Sequence, residues 1–279
     1  STNTEPGSAA DLKVMRSEMK KFVAACQKNT GPVLGHVDTV SAAKDLEVIR
    51  TALGESKLNY LGYSYGTFLG TTYASLFPEK VGRFVLDGAI DPRVSDEQQS
   101  QNQLAGFDLA LNNYLHDCVD NNVDCPFQGS FWSAKEEVRQ FLIKMETKSL
   151  STSTDRKLTL SSATTGLIMA LYSNDYWQYL SQAFTEAKAG DGSTFLRLAD
   201  FYNDRNQDGT YASNQTEANL AINCLDARES SKPSAIKAQN QRILAASNVF
   251  GRYWQFGGLA CASWKYPAVK PLKSYSAKG

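Results

Sequence analysis

Gly62-Tyr63-Ser64-Tyr65-Gly66 reads G-x-S-x-G, a spacing that suits a nucleophilic serine. A glycine two residues to either side lets neighbouring backbone close around the serine, where a Cβ would clash. Such a serine stands proud of a sheet on a strained strand-to-helix turn. The helix that follows points its positive N-terminal end at the site and favours a developing oxyanion. In that arrangement Ser64 is the nucleophile and the backbone N–H of Tyr65 is one oxyanion donor. The same five residues also fit a plain glycine-rich turn with no chemistry, so the flanking elements decide between the two.

Those elements have the required order. Leu58 to Leu61 is a short apolar run bounded by polar residues, compatible with a buried strand. Residues 66–77 predict a helix, with Pro78 after its last turn, and Phe84 to Leu86 predict a second strand ending at Asp87-Gly88. Strand, turn, helix, strand is a βαβ unit, hence part of a parallel sheet with helical cover. Upstream, apolar residues at helical spacing predict helices over 11–28 and 40–53. Thr39 or Ser41 is the expected cap of the second, and Gly54 its end. Beyond Pro92 the patterns turn helical, as in LAGFDLALNNYLHDC, SAKEEVRQFLIKME and TEANLAINCLDA. No fixed-period repeat is present, which argues against a solenoid. The division expected is α/β: a partial sheet core over 1–92, a mostly helical cap over 93–260, and a connector over 261–279, where Pro267 and Pro271 lie among polar residues.

Composition narrows the function classes. The chain has 279 residues, with 29 Lys plus Arg against 29 Asp plus Glu. Zero net charge argues against a nucleic-acid or anionic-membrane partner, which would want a basic face. Hydrophobic residues make up 42%, enough for a real core and too many for a disordered chain. No apolar run approaches the roughly 20 residues that span a bilayer. The start, STNTEPGSAADLK, has no basic-then-apolar pattern, which fits an intracellular protein or one whose leader has been removed. There are five cysteines. Cys118 and Cys125, in CVDNNVDC, would close a tight disulfide loop. Zinc is the rival reading, although six intervening residues is wide for a zinc knuckle. An odd count leaves one thiol either buried and free or partnered outside this sequence.

Other candidates weigh less. The two histidines, His36 and His116, read as surface or packing residues. Asp87 follows a sheet strand and is a candidate triad acid, but Asp87-Gly88 also makes an ordinary turn. Asp204 to Gly209 mimics the start of a calcium loop, yet the twelfth position is Gln215 and not a bidentate Glu, so a polar turn is expected. Asn214-Gln215-Thr216 is a glycosylation sequon. The aromatics Tyr172, Tyr176, Trp177, Tyr179, Phe201, Tyr202, Tyr253, Trp254 and Phe256 are expected to be mostly core, with a few over Ser64. No cofactor and no metal is expected.

GYSYGTFLGTTYASLFPEKVGRFVLDGAIDP resembles the elbow region of actinobacterial secreted α/β-hydrolase exopeptidases, the tripeptidyl-aminopeptidase-like relatives of proline iminopeptidases. DTVSAAKDLEVIRTALG resembles that family's helix before the nucleophile strand. CVDNNVDCPF, AINCLDA and CASW resemble its cap landmarks, so about residues 35–270 fit. The resemblance implies a partial α/β-hydrolase core with a large helical cap, secretion or a cell-envelope location, and the pairings Cys118–Cys125 and Cys224–Cys261. It implies a serine peptidase that releases short N-terminal peptides through a Ser-His-Asp triad, with peptides as substrates. An esterase or lipase on the same scaffold, or a non-catalytic binding protein, are the alternatives. Asp226 is the candidate for binding the substrate's free amine. The family's glycine-rich oxyanion loop does not precede residue 35, and its acid and histidine come after the cap. The chain is therefore expected to be the middle of a larger protein, inactive alone, completed by missing segments or a complementing chain. Cys26 is expected to pair upstream of this sequence.

Overall fold

The computed structural model describes residues 8–121, 124–227, 230–270 and 272–276. The opening STNTEPG, two residues inside CVDNNVDC, Pro271 and the last three residues of the 261–279 connector lie outside them. Helix α1 (Ala9–Thr30) runs two residues past the expected helix at each end, and α2 (Thr39–Ala52) lies one residue earlier than expected. The cap of α2 is Asp38, not Thr39 or Ser41: its carboxylate accepts the Ser41 N–H at 2.9 Å and the Ser41 hydroxyl at 2.6 Å. An aspartate there satisfies an orphan N–H and also complements the positive helix end.

Strand β1 (Leu58–Tyr63), helix α3 (Tyr65–Leu76) and strand β2 (Val81–Asp87) form the βαβ unit. The strands are parallel, with Leu61 opposite Val85 and Tyr63 opposite Asp87. Side chains alternate. Tyr60 and Leu86 pack on α3, where a Cβ at Gly70 would come within 2.6 Å of the Tyr60 ring and 2.9 Å of Leu86. Leu61, Tyr63 and Val85 point the other way and are 57%, 64% and 58% exposed. Parallel sheets normally bury both faces, so this apolar face is open among the described residues.

Glu47 ties α2 to α3. It accepts the Tyr73 hydroxyl at 2.7 Å and two Arg50 donors at 2.8 and 2.7 Å. Arg50 also donates to the Glu55 carbonyl. The Arg50 guanidinium, with help from Tyr73, lowers the Glu47 carboxyl to about 2, and burial with the Glu47 hydrogen bond pushes Tyr73 up to about 12. A depressed acid contributes stability that is present above its unfolded value and is lost as pH falls through its folded value. Glu47→Gln is expected to destabilise the protein by about 1.5–3 kcal/mol at neutral pH, the usual range for charged hydrogen bonds. Urea unfolding of both forms should show that gap closing as pH falls from about 4.3 toward about 2. A gap that stays constant down to the acid limit would contradict the assignment.

The remaining helices are α4 (Asp96–Asn121), α5 (Phe131–Met145), α6 (Leu160–Ala170), α7 (Trp177–Lys188), α8 (Ser193–Tyr202), α9 (Gln215–Asp226), α10 (Pro233–Ala246) and α11 (Gly257–Ala260). A large core joins Leu104, Leu111 and Leu115 of α4 to Val138 and Leu142 of α5 and to Leu167, Phe184 and Phe195. Helices α6 and α8 approach so closely that a Cβ on Gly166 would meet the Phe195 carbonyl at 2.5 Å. Cys118 and Cys125 are bridged, Cα atoms 5.0 Å apart. The residues after Asp204 form a polar turn: Asn206 N–H donates to the Thr210 carbonyl at 2.8 Å, and the Asp208 carboxylate accepts Thr210 N–H at 2.9 Å.

The chain packs as two compact units. One takes the described parts of Ser1–Met15, Ser100–Thr216 and Lys237–Phe256; the other takes those of Arg16–Gln99, Glu217–Ile236 and Gly257–Gly279. The units thus differ from the sequence division, since 217–236 and 257–260 group with the elbow and not with the helical lobe. The Cys224–Cys261 bridge, Cα atoms 5.2 Å apart, lies in this second unit. There Cys224, Leu225 and Trp264 share a core with Val23, Leu34 and Cys26. Cys26 is buried and unbridged, and burial raises its thiol above the ordinary value. Among the described residues no helix is long and apolar enough to cross a membrane.

Candidate active site

Ser64 sits between the last residue of β1 and the first of α3, with φ 50° and ψ −117°. A residue with a Cβ pays about 1–3 kcal/mol for such torsions, and they persist only where the surroundings dictate them. Here both sides of the serine are pinned. Its N–H donates to the Asp87 carbonyl at the end of β2, at 3.0 Å. Its carbonyl accepts the Thr67 N–H at 2.9 Å and the Thr67 hydroxyl at 2.6 Å. Thr67 is buried, and its hydroxyl oxygen in turn accepts the Ile90 N–H at 2.9 Å, anchoring the turn to the segment after β2. The turn closes tightly enough that a Cβ on Gly62 would stand 2.5 Å from the Gly66 carbonyl oxygen. That same oxygen accepts the Tyr60 hydroxyl at 2.7 Å. The serine itself is exposed.

Tyr65 is the first residue of α3, so its N–H is one of the four that a helix leaves without an internal partner. Its side chain is held from α2: the Tyr65 hydroxyl lies 2.7 Å from the Thr39 hydroxyl. Thr39 gives its N–H to one oxygen of Asp226 at 2.7 Å and its hydroxyl to the other at 2.5 Å. Burial pushes the Asp226 carboxyl up, and the charges of Asp38 and Asp96 push the same way, against the Thr39 hydrogen bonds. Burial also raises Tyr65 and Asp96. Phe68, one turn along α3, meets the rings of Tyr65 and Tyr275, each at 6.4 Å.

Of the residues singled out in the sequence, Ser64, Tyr65 and Asp226 come into one hydrogen-bonded neighbourhood, the last through Thr39. Asp87 meets Ser64 with its backbone carbonyl while its side chain is exposed. His116 stacks on Phe131 at 4.2 Å and lies 3.3 Å from Asp120 on its own helix, in the other compact unit. His36 closes the short turn over Gly31–Gly35, its N–H on the Val33 carbonyl at 2.9 Å. Among the described residues no group of three or more His, Cys, Asp or Glu is placed to hold a metal ion. Thr39 entered the sequence reading only as a possible helix cap, and Tyr60 and Thr67 escaped it. Thr67, directly after the second glycine of the motif, was the one open to detection, because a hydroxyl there can reach back to the serine carbonyl.

The alpha/beta hydrolase fold matches residues 23–228. The chain belongs to that family. The matched stretch contains the whole βαβ unit with the strained Ser64 turn. Among curated proteins, the chain is 38% identical to "Serine protease Hip1" of Mycobacterium tuberculosis over 277 residues, covering 95% of this chain and 53% of that protein. It is 40% identical over 241 residues to "Carboxylesterase B" of the same species, 85% of this chain and 46% of the relative. With "Tripeptidyl aminopeptidase" of Streptomyces lividans it shares 28% identity over 274 residues, 98% of this chain and 51% of the relative. The chain thus spans about half the length of the curated relatives it matches.

Proposed function

We propose that this alpha/beta hydrolase chain carries the nucleophile of a serine hydrolase, a peptidase that releases short peptides from free N-termini. The observation that carries the reading is Ser64, exposed and held at φ 50° by hydrogen bonds from both sides. Ser64 Oγ attacks the scissile carbonyl, and the Tyr65 N–H stabilises the oxyanion that forms. A histidine takes the Ser64 proton and returns it to the leaving amine, oriented by an aspartate, with both residues supplied from outside residues 1–279. Support for that assignment is twofold: the matched relatives are about twice as long, and His116 is engaged on the surface of α4.

The free-amine preference is supported by the carboxylates around Tyr65. Asp226 is pushed up by burial and by the charges of Asp38 and Asp96, and an incoming ammonium would relieve that repulsion. The relatives named serine protease and tripeptidyl aminopeptidase favour a peptide substrate. The one named carboxylesterase favours an ester reading on the same scaffold. Two disulfides persist best in oxidising compartments, which supports a secreted or envelope protein.

The test is an assay of residues 1–279, alone and joined with the sequence that flanks them in the gene, on tripeptidyl, aminoacyl and short-chain ester chromogenic substrates. Without a base, the Ser64 hydroxyl stays protonated and is a poor nucleophile. With one oxyanion donor absent, a further factor of about 10²–10³ is lost. The expected result is negligible turnover alone, recovery on joining, and tripeptidyl substrates with a free amine preferred over blocked ones. Full turnover by residues 1–279 alone would overturn the incomplete-triad reading. A preference for esters over free-amine peptides would overturn the peptidase reading.

A further inference from the structure

Thr39 opens α2 and contacts both the residue beside the nucleophile and Asp226. Its hydroxyl has one proton, and that proton goes to Asp226 Oδ2 at 2.5 Å. The 2.7 Å contact with Tyr65 must then run the other way, with the Tyr65 hydroxyl donating to Thr39 Oγ1. The relay has one direction, Tyr65 to Thr39 to Asp226. It uses both Asp226 oxygens as acceptors, since Oδ1 takes the Thr39 N–H at 2.7 Å. Thr39 is buried, and its backbone is fixed by the capped start of α2, where Ala42 N–H reaches the Asp38 carbonyl at 2.9 Å. The same helix grips α3 a second time, through Glu47 and Tyr73.

We infer that Thr39 is a positioning residue for the Ser64 site: clamped by Asp226, it holds the Tyr65 side chain and thereby fixes the aim of the Tyr65 backbone N–H at the oxyanion. The inference rests on the serine-hydrolase reading above. Oxyanion donors act only when held within about 0.5 Å of the productive geometry, and Tyr65, first in its helix, lacks the preceding helical turn that would fix it. The clamp supplies that restraint from a neighbouring helix. It also needs Asp226 as the carboxylate, because protonation would remove an acceptor. The titratable groups that act on Asp226 are Asp38, Asp96 and the Tyr65 and Tyr275 hydroxyls.

The test combines a spectroscopic and a kinetic readout on the joined, active protein. With selectively labelled Tyr65 amide and Asp226 carboxyl, the Tyr65 N–H shift should follow the Asp226 titration in the wild type. That coupling should vanish in Thr39→Val and Tyr65→Phe and survive in Thr39→Ser. Thr39→Val and Tyr65→Phe should lower kcat about ten- to a hundred-fold with KM little changed, less than the loss of the whole donor, and Thr39→Ser should restore most of it. Tyr65→Phe removes only the hydroxyl, so it keeps the inference testable if Thr39→Val misfolds. Wild-type kcat in Tyr65→Phe, or a Tyr65 amide that still titrates with Asp226 in that variant, would overturn the clamp. Ser64→Ala separates the two readings: if it leaves turnover intact the hydrolase reading falls, while the amide titration still reports whether the clamp exists.

Discussion

Ser64→Ala in the joined protein is expected to lower turnover by about 10⁵–10⁶-fold while leaving substrate binding nearly unchanged. The magnitude follows from what the hydroxyl does. Removing the nucleophile of a triad costs about as much as removing the whole triad, because base and acid then have no proton to move. The residual rate comes from the oxyanion donors and from binding alone. Stability should barely move. Ser64 has φ 50°, and a strained site relaxes little when only an exposed oxygen is deleted, so unfolding should shift by less than about 0.5 kcal/mol. A large kinetic loss without a stability loss distinguishes a nucleophile from a structural serine. A loss of stability parallel to the loss of rate would count against it.

Gly62→Ala is the second large effect, and it works through the backbone. The added Cβ would sit 2.5 Å from the Gly66 carbonyl oxygen and 2.6 Å from the Tyr60 ring. Neither can move cheaply, since Gly66 O also accepts the Tyr60 hydroxyl at 2.7 Å, so the methyl strikes both partners of one hydrogen bond. Overpacking of this kind costs about 1–3 kcal/mol. The opening it forces displaces the Tyr65 N–H, one residue before Gly66. Turnover is expected to fall at least a hundred-fold, with a melting temperature lower by several degrees, read by steady-state kinetics and calorimetry. Gly54→Ala is the control: its Cβ would meet nothing within 4 Å, so only its positive φ is strained. If Gly62→Ala matches the wild type in rate, the tight closure of the turn is not what places the donor.

The parts of the molecule that local pattern dictates were legible in the sequence. The G-x-S-x-G spacing between an apolar run and a small-residue helix located the βαβ unit, because strand and helix periods differ and the glycines mark the turn. The long helices α4, α5 and α7 carry regular apolar faces. Helix α10 carries little signal: along PSAIKAQNQRILAA only Ile236, Gln239 and Ile243 are buried, and its one start signal is the proline at the first helical position. What stayed hidden was non-local. Asp226 stood out as an acid in a helical segment, but its partner is Thr39, 187 residues away, and no spacing rule connects them. The grouping of 217–236 with the elbow unit was equally out of reach, since helical texture gives the element and not the neighbour it packs on. The open face carrying Leu61, Tyr63 and Val85 reads in the sequence as an ordinary buried strand.

The most direct measurement is mass spectrometry of the joined protein after reaction with a fluorophosphonate, which phosphonylates an activated serine. The account predicts one adduct, on the peptide containing Ser64, absent from Ser64→Ala and lost when residues 1–279 are treated alone. An adduct on any other serine, or equal labelling of Ser64 and of ordinary surface serines, would contradict it.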